Sequence, residues 1–453
     1  MKFTLTLLES HMDELRSLTF SLPGCEGAAF ILCSRSETQE EHRLIAHTIV
    51  PVADADYLER RPDFLSLASD CYVRAAKEAR NGGYSVVFAH SHPGGFLEYS
   101  DQDDREEPKL QQFLGSRVPE PIHGSLVLTA DGVIGRVWKQ GAFTPIDRVR
   151  VIGRRFAFHD RTRKRSVMEF FDRQVRAFGD DAQRILQSLH IGVVGAGGTG
   201  SAVAEQLIRL GVGKISVFDG DKLDTTNINR VFGSGSKDGG KHKVDLVGSN
   251  AKRIGVGTRI NEYPDHISHL ETALHLRDCD VVFGCTDLEA PRGLLISLAL
   301  RYYIPVFDMG VKIDSQDEKI HDVIGRVTLL LPGEACLFCR GRISGEGILY
   351  EGMSPEEREI RAKEGYAPEL GSPNPAVITF TSMVASLAIN ELLHRLTGFM
   401  GEEKESSEVL CFFDKLVFRR NRPQPGPDCL CGLKTRWGKG DSRLFLDVVW
   451  RSG

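Results

Sequence analysis

The sequence has no run near the ~18 consecutive apolar residues that a membrane helix needs, so nothing in it reads as a transmembrane span. Its opening stretch, MKFTLTLLES, reaches Glu9 too soon for the apolar core of a secretory leader. Charge excess is missing as well. Against 57 Lys and Arg stand 62 Asp and Glu, and a net charge of −5 gives no global pull toward nucleic acid or an acidic membrane surface. Cysteine is sparse for a secreted, disulfide-built protein. Ten thiols along 453 residues without a leader fit reduced cysteines and metal ligands, and the expected location is the cytoplasm. No internal repeat or low-complexity tract is visible. What is present is ordinary for globular protein, 41% hydrophobic and 26% charged residues, on a chain long enough for two to four domains at roughly 100–200 residues each.

Along the chain, residues 26–34 and 85–90 read as apolar strands and 66–80 as an amphipathic helix. Residues 125–138 alternate around Asp131-Gly132, a hairpin signal. Together these predict a mixed α/β domain over 1–145. A basic stretch follows, with Arg148, Arg150, Arg154, Arg155, Arg161, Arg163, Lys164 and Arg165; it reads as a solvated linker over 146–167, or else as an anionic docking patch. From His190 the pattern alternates strand, glycine turn and helix, the mark of a doubly wound parallel sheet, and predicts a second α/β domain over 168–435. Within it, residues 340–375 read as a long mobile excursion. Residues 436–453 read as a C-terminal tail.

The apolar strand YSVVFA ends in His90-Ser91-His92-Pro93. Side chains at i and i+2 on a strand share a face, so two imidazoles there can grip one metal ion. Ser100-Asp101-Gln102-Asp103 follows, where a carboxylate can supply a third ligand and leave a fourth position for water. The same Ser100-x-x-Asp103 is also a helix N-cap with an acidic third residue, and both readings can hold together. HxHP, a short spacer and SxxD resemble the JAMM signature of the JAB/MPN metallopeptidases, which include deubiquitinating isopeptidases. That resemblance implies zinc on His90, His92 and Asp103, Glu26 of Pro23-Gly24-Cys25-Glu26-Gly27 as catalytic base, and Ser100 steadying the tetrahedral intermediate.

The strand His190-Ile191-Gly192-Val193-Val194 runs into Gly195-Ala196-Gly197-Gly198-Thr199-Gly200-Ser201 and a helical pattern. Glycines there let a phosphate approach the backbone while the helix N-terminus favours its charge. The next strand ends at Asp219, placed to hydrogen-bond a ribose hydroxyl. To this point a nicotinamide dehydrogenase fits equally well. The residues that follow separate the readings: Asp221, Asn227, Arg230 and Lys243, then Cys285-Thr286-Asp287. An Arg and a Lys suit a triphosphate and an Asp suits Mg²⁺, and hydride transfer needs none of them. These landmarks resemble, in order and spacing, the superfamily of ThiF, MoeB and the ubiquitin-activating enzymes. The resemblance implies that ATP is bound by Gly195, Gly197, Gly198, Gly200 and Asp219, with Asp221 beside it. It implies that Asn227, Arg230 and Lys243 hold the triphosphate and that Asp287 holds Mg²⁺. Phe171-Asp172-Arg173-Gln174 resembles the family's arginine–glutamine motif, which implies that Arg173 reaches a partner's site across a homodimer. Leu288 departs from the polar residue common after that aspartate.

Cys336-Leu337-Phe338-Cys339 and Cys429-Leu430-Cys431 are two cysteine pairs in turn-rich sequence, read as a structural zinc site of four thiolates; the bland alternative is small buried hydrophobes. Both resemblances point to one object, the glycine tail of a ubiquitin-like protein. They imply a bifunctional enzyme that cleaves at that tail and adenylates it, working with a separate conjugating enzyme, as in bacterial ubiquitin-like operons, some tied to phage defence. The alternatives are sulfur-carrier activation and a non-catalytic scaffold. No cysteine lies between Arg340 and Val377, where activating enzymes that form thioesters carry theirs, so no stable thioester is expected and Ser372 is the weak alternative acceptor.

Overall fold

A computed structural model describes all residues except 140, 162–166, 317–318, 364–374, 442–444, 449 and 451–453. It divides the chain into two units. The first comprises Met1–Lys164, Arg301–Tyr303 and Trp437–Phe445, and the second comprises Arg165–Leu300, Ile304–Arg436 and Leu446–Gly453.

In the first unit the elements run β1 (Lys2–Leu8), α1 (Glu9–Thr19), β2 (Ala28–Glu37), β3 (Glu41–Pro51), β4 (Tyr57–Arg61), β5 (Phe64–Leu67), α2 (Ser69–Gly82), β6 (Ser85–Ser91), α3 (Asp101–Arg117), β7 (His123–Leu128), β8 (Val133–Lys139), β9 (Ala142–Pro145), β10 (Arg148–Ile152) and β11 (Phe156–Asp160). Nine of these strands form one sheet in the order β11-β10-β1-β3-β2-β6-β7-β8-β9, and β4 and β5 pair as a separate hairpin. Period-two alternation builds a core on each face. On β2, Ala29, Ile31 and Cys33 join Leu5, Leu7, Leu15, Val87 and Ala89 in one cluster with α1. Ala28, Phe30 and Leu32 face the other way, onto Ala75, Ala79 and Leu114 of α2 and α3, with Val86 and Phe88. The alternation on β6 continues past Phe88, so His90 points to the α2–α3 face.

Of the basic stretch expected as a linker, Arg148–Ile152 and Phe156–Asp160 are instead strands of this sheet, while Arg163, Lys164 and Arg165 lie outside the described residues. Val149 and Val151 of β10 enter the core, while Arg148 and Arg150 face the opposite way and meet acids. Arg148 pairs with Asp160 at 2.5 Å and Arg150 with Glu41 at 2.7 Å. Buried charge is tolerated where it is paired, and those partners, distant in sequence or on the next strand, are what a linear reading of charge misses. Nor is 436–453 simply a tail, since Trp437–Phe445 packs within the first unit. The Ser34 hydroxyl donates to the Gly438 carbonyl at 2.6 Å, the Asp441 amide to the Arg35 carbonyl at 2.7 Å, and the Glu37 amide to the Asp441 carboxylate at 2.9 Å.

The second unit runs α4 (Asp172–Ser188), β12 (His190–Val194), α5 (Gly198–Arg209), β13 (Lys214–Phe218), α6 (Lys243–Ile254), β14 (Arg259–Tyr263), α7 (Leu270–Leu274), β15 (Val281–Gly284), α8 (Glu289–Tyr302), β16 (Val306–Gln316), β17 (Lys319–Leu330), α9 (Gly345–Glu351), α10 (Pro355–Lys363), α11 (Ile378–Thr397), β18 (Glu408–Phe412) and β19 (Val417–Asn421). Its sheet has the order β14-β13-β12-β15-β16-β17-β18-β19. The first five of these are parallel, and β17, β18 and β19 join antiparallel. Strand order reverses at β12, which leaves a crevice beyond the carboxyl ends of β12, β13 and β15, the usual ligand position in such sheets. The expected 340–375 excursion contains α9 and α10. Residues 364–374 of it, including Ser372, lie outside the described residues. No described helix is long and apolar enough to cross a membrane.

Candidate functional sites

The end of β6 and the start of α3 meet in the first unit. Ala28 stands opposite His90 in the β2–β6 register, which brings Glu26, just before β2, to the same corner. Ser100 caps α3: its hydroxyl accepts from the Asp103 amide at 3.2 Å, and its own amide and hydroxyl both donate to Asp103 Oδ2 at 2.7 Å. That cap aims the other oxygen, Oδ1, to 3.1 Å from His90 Nε2. His90 Nε2 and His92 Nε2 lie 3.1 Å apart, and His92 Nε2 is 3.5 Å from Asp103 Oδ2. One ligand atom from each of His90, His92 and Asp103 falls within 4.8 Å of the others. Three groups that all present lone pairs converge on one point, which fits a metal with a position left open. His92 is oriented from behind by the Phe96 carbonyl, 3.0 Å from Nδ1, the kind of outer partner that fixes a ligand's tautomer.

Glu26 lies beside this triad, its Oε1 3.9 Å from His92 Nε2. Its backbone is clamped by the β4–β5 hairpin: Glu26 N donates to the Arg61 carbonyl at 2.9 Å, and Arg60 Nε donates to the Glu26 carbonyl at 2.5 Å. Burial pushes the Glu26 carboxyl above the ordinary range, against the opposing pull of His90 and His92. Burial acts the same way on Asp103, but hydrogen bonds from both histidines overcome it and hold that carboxyl well below the ordinary range. Glu9 and Glu14, the other upstream acids, lie on α1 outside this cluster.

In the second unit a cleft of 740 Å³ opens at the crevice beside β12. It is lined by Gly195, Gly197, Gly198, Asp219, Asp221, Asn227, Arg230, Lys243 and Asp287, which the sequence placed together. The turn demands glycine. Gly195 has φ +91°, a Cβ there would lie 2.7 Å from the Cys285 carbonyl oxygen, and one at Gly200 would lie 1.8 Å from the Gly195 carbonyl oxygen. Asp219 is fixed by two amides, Ala196 N at 2.6 Å and Asp221 N at 2.8 Å. Lys243 Nζ pairs with Asp221 at 2.7 Å and stands 3.9 Å from Asp219. That hydrogen bond from Lys243 is the main cause holding the Asp221 carboxyl below its ordinary range. Arg230 is steered by Asn227 and by the Thr226 carbonyl, and its side chain lies against Gly198. Arg173, on α4, is not among the residues that line this cleft.

Sequence reading missed Arg292 and Arg326, which line the cleft, and Asp308, which pairs with both. Arg292 of α8 pairs with Asp308 of β16 at 3.1 Å, and Asp308 pairs with Arg326 of β17 at 2.6 Å. A lone acid inside the apolar strand IPVFDMG was the available signal, because a charge in a buried strand requires a partner.

The two cysteine pairs meet. Cys336 and Cys429 sulfurs are 3.5 Å apart and Cys339 and Cys431 3.6 Å, and all four form one group able to hold a metal. The Gly426 amide donates to Cys339 Sγ at 3.2 Å. A hydrogen bond from Cys431 holds the Cys336 thiol below its ordinary range, while Cys429 and Cys431 are pushed up, so these thiols hold their protons unevenly. The protons would be displaced by a cation such as zinc.

Residues 171–433 match the ThiF family. The chain is 27% identical over 286 residues to protein HesA of Leptolyngbya boryana, covering 61% of this chain and 90% of that protein. It is 25% identical over 269 residues to the molybdopterin-synthase adenylyltransferase of Escherichia coli, covering 58% of this chain and 95% of that enzyme. Against ubiquitin-like modifier-activating enzyme 5 of Dictyostelium discoideum it is 24% identical over 257 residues, covering 54% of this chain and 61% of that protein.

Proposed function

The chain belongs to the ThiF family, whose match takes in more than half of it, and from that premise we propose that the second unit uses ATP to adenylate the C-terminal carboxylate of a small ubiquitin-fold protein. The observation that supports this most is the meeting of Gly195, Gly197, Gly198, Asp219, Arg230, Lys243 and Asp287 in one cleft, while Gly200 lies behind the turn and makes room for the Gly195 carbonyl. The turn and the N-terminus of α5 offer amides and a positive helix end to phosphates. Lys243 and Arg230 balance the triphosphate charge, and Asp287 would hold Mg²⁺. The carboxylate oxygen attacks the α-phosphorus, the α–β phosphoanhydride bond breaks, and pyrophosphate leaves. Between the two fates of the acyl-adenylate, the molybdopterin-synthase relative favours sulfur-carrier activation over conjugation to targets. The test is exchange of labelled pyrophosphate into ATP with a panel of ubiquitin-fold proteins ending in Gly-Gly. Exchange that needs both ATP and a carrier is the expected result; NAD binding without exchange would replace this reading with a dehydrogenase.

For the first unit we propose hydrolysis at the carbonyl of the same terminal glycine, on the strength of the His90–His92–Asp103 triad with Glu26 beside it. Zinc bound there would lower the pKa of its water to about 7. Glu26, its own affinity for protons raised by burial, is the group beside the triad that would accept a proton at its carboxylate and pass it to the leaving amine. Ser100 is committed to orienting Asp103, so its contribution runs through the ligand it caps.

A further inference from the structure

We infer that Arg292 and Arg326 form a carboxylate subsite in the adenylation cleft, which receives the free C-terminus of the protein tail before it is activated. This rests on the adenylation reading above and specifies which group of the substrate the far side of the cleft takes.

Register explains how the subsite is built. Asp308 and Gly310 lie two apart on β16 and share a face, and Arg326 stands directly opposite Gly310 on β17. Asp308 is therefore Arg326's diagonal neighbour, within reach of its guanidinium. Arg292 reaches the same acid from the first turns of α8. Asp308 is fully buried, and both arginines are almost so. The two guanidinium groups do not simply bury each other's partner. Both converge over Gly310, where a Cβ would lie 3.4 Å from an Nη2 of each. Gly310, Arg292 and Arg326 all line the cleft. A glycine thus leaves an open notch between two planar forks.

Charge decides what the notch accepts. One buried carboxylate against two guanidinium groups leaves a net positive charge, and Lys312, also lining the cleft, adds to it. A third, bidentate-binding anion restores the balance, and arginine forks match a carboxylate in geometry as well as charge. ATP already has its partners on the other side of the cleft. Val194 pairs with Gly284, and Gly284 with Asp308, so the notch lies two strands, roughly 10 Å, from the phosphate turn. The Cys285–Asp287 loop leaves β15 between them. A carboxylate held there waits beside the loop from which Asp287 acts. Its repulsion from the triphosphate is offset by the two arginines, and Asp308 keeps the grip loose enough for transfer. Asp308 is then a positioning residue that sets the spread of the two forks.

The experiment uses the full chain with Mg²⁺ and a non-hydrolysable ATP analogue. Two fluorescein-labelled hexapeptides ending in Gly-Gly, one with a free carboxylate and one with a terminal amide, are titrated by polarisation. The wild type should prefer the acid by about tenfold, the scale of a charged hydrogen-bonded contact. Arg326→Gln and Arg292→Gln should each erase that preference, and Gly310→Ala should shrink it by filling the notch. All three should keep nucleotide affinity within about twofold of wild type, which also certifies the fold. A wild type with no preference for the acid overturns the subsite, as does a preference that survives in both arginine variants. Loss of nucleotide binding by the wild-type protein would instead sink the adenylation reading itself.

Discussion

The backbone amide of Ala196 donates to the Asp219 carboxylate at 2.6 Å, tying the acid that follows β13 to the glycine turn that follows β12. A carboxylate that accepts backbone amides on both oxygens holds the turn in shape as well as offering an edge to a ribose. Asp219→Ala should therefore cost both nucleotide affinity, by about tenfold or more, and thermal stability, since a buried amide is left unpaired. Asp219→Asn keeps an acceptor and should lose less of each. Calorimetric ATP titration and melting curves check the pair; affinity lost with stability unchanged would mean that Asp219 touches only ligand.

Metal content separates the two zinc assignments. Purified protein should carry two zinc ions per chain. His92→Ala should lose one together with any cleavage of a carrier–peptide fusion, and Cys339→Ser should lose the other. Glu26→Gln should retain both ions while cleavage falls by roughly 10²–10⁴-fold, the usual share of a general base. Full cleavage by Glu26→Gln would remove that glutamate from the mechanism.

Because Arg173 does not line its own chain's cleft, the homodimer reading predicts complementation. Arg173→Ala and Lys243→Ala subunits, each inactive in pyrophosphate exchange, should recover part of the activity when mixed and allowed to exchange. Verified heterodimers that stay inactive would count against a shared site.

Acid should weaken the first unit through His123. Burial first, then the nearby charge of Arg35, bring its pKa from 6.5 down to about 4, and its Nδ1 accepts from the Val86 amide at 3.1 Å. Above pH 6.5 the ring is neutral folded or unfolded and contributes no pH dependence. As pH falls from 6.5 toward 4, the unfolded chain takes up a proton that the folded chain refuses, and stability drops by up to about 3 kcal/mol. His123→Asn, which retains an acceptor, should flatten that decline in hydrogen exchange of the β6 and β7 amides. A slope identical to wild type would clear His123 of the effect.

No thioester should accumulate on the enzyme. Cys285 is the thiol nearest the nucleotide residues, and burial together with the Asp308 carboxylate pushes it far above a reactive range. Cys279 is fully buried, and burial raises Cys411 as well. Enzyme, carrier and ATP should give no adduct that a reductant removes on a denaturing gel. Such an adduct, abolished by one Cys→Ala change, would refute the expectation.

What the sequence made legible was local. His90, His92, Ser100 and Asp103 sit on one strand and the next helix start, and the glycine turn with Asp219 spans a single βαβ step, so their spacing carries their geometry. Glu26 was harder: only the pairing of Ala28 with His90 brings it to the triad, and Glu9 and Glu14 precede the motif equally well in linear order. Arg292, Asp308 and Arg326 escaped notice because their relation depends on the β16–β17 register. Charges along β10 were misread as a solvated linker because their partners, Glu41 and Asp160, become neighbours only when the sheet forms.

The segment Trp437–Phe445, bonded to Ser34, Arg35 and Glu37, makes the first unit discontinuous in the chain. Translation runs from the N-terminus, so the ribosome finishes residues 1–164 long before it supplies that last piece. At about 5–20 residues per second the delay is tens of seconds, during which the second unit emerges and can close. The far end of β2, near Arg35, waits all that time with its carbonyl open to water. A gene truncated after residue 164 would encode every residue of the proposed peptidase site, yet not a finished domain. The two units are thus joined by the order of synthesis, because most of the second lies in the chain between the pieces that complete the first.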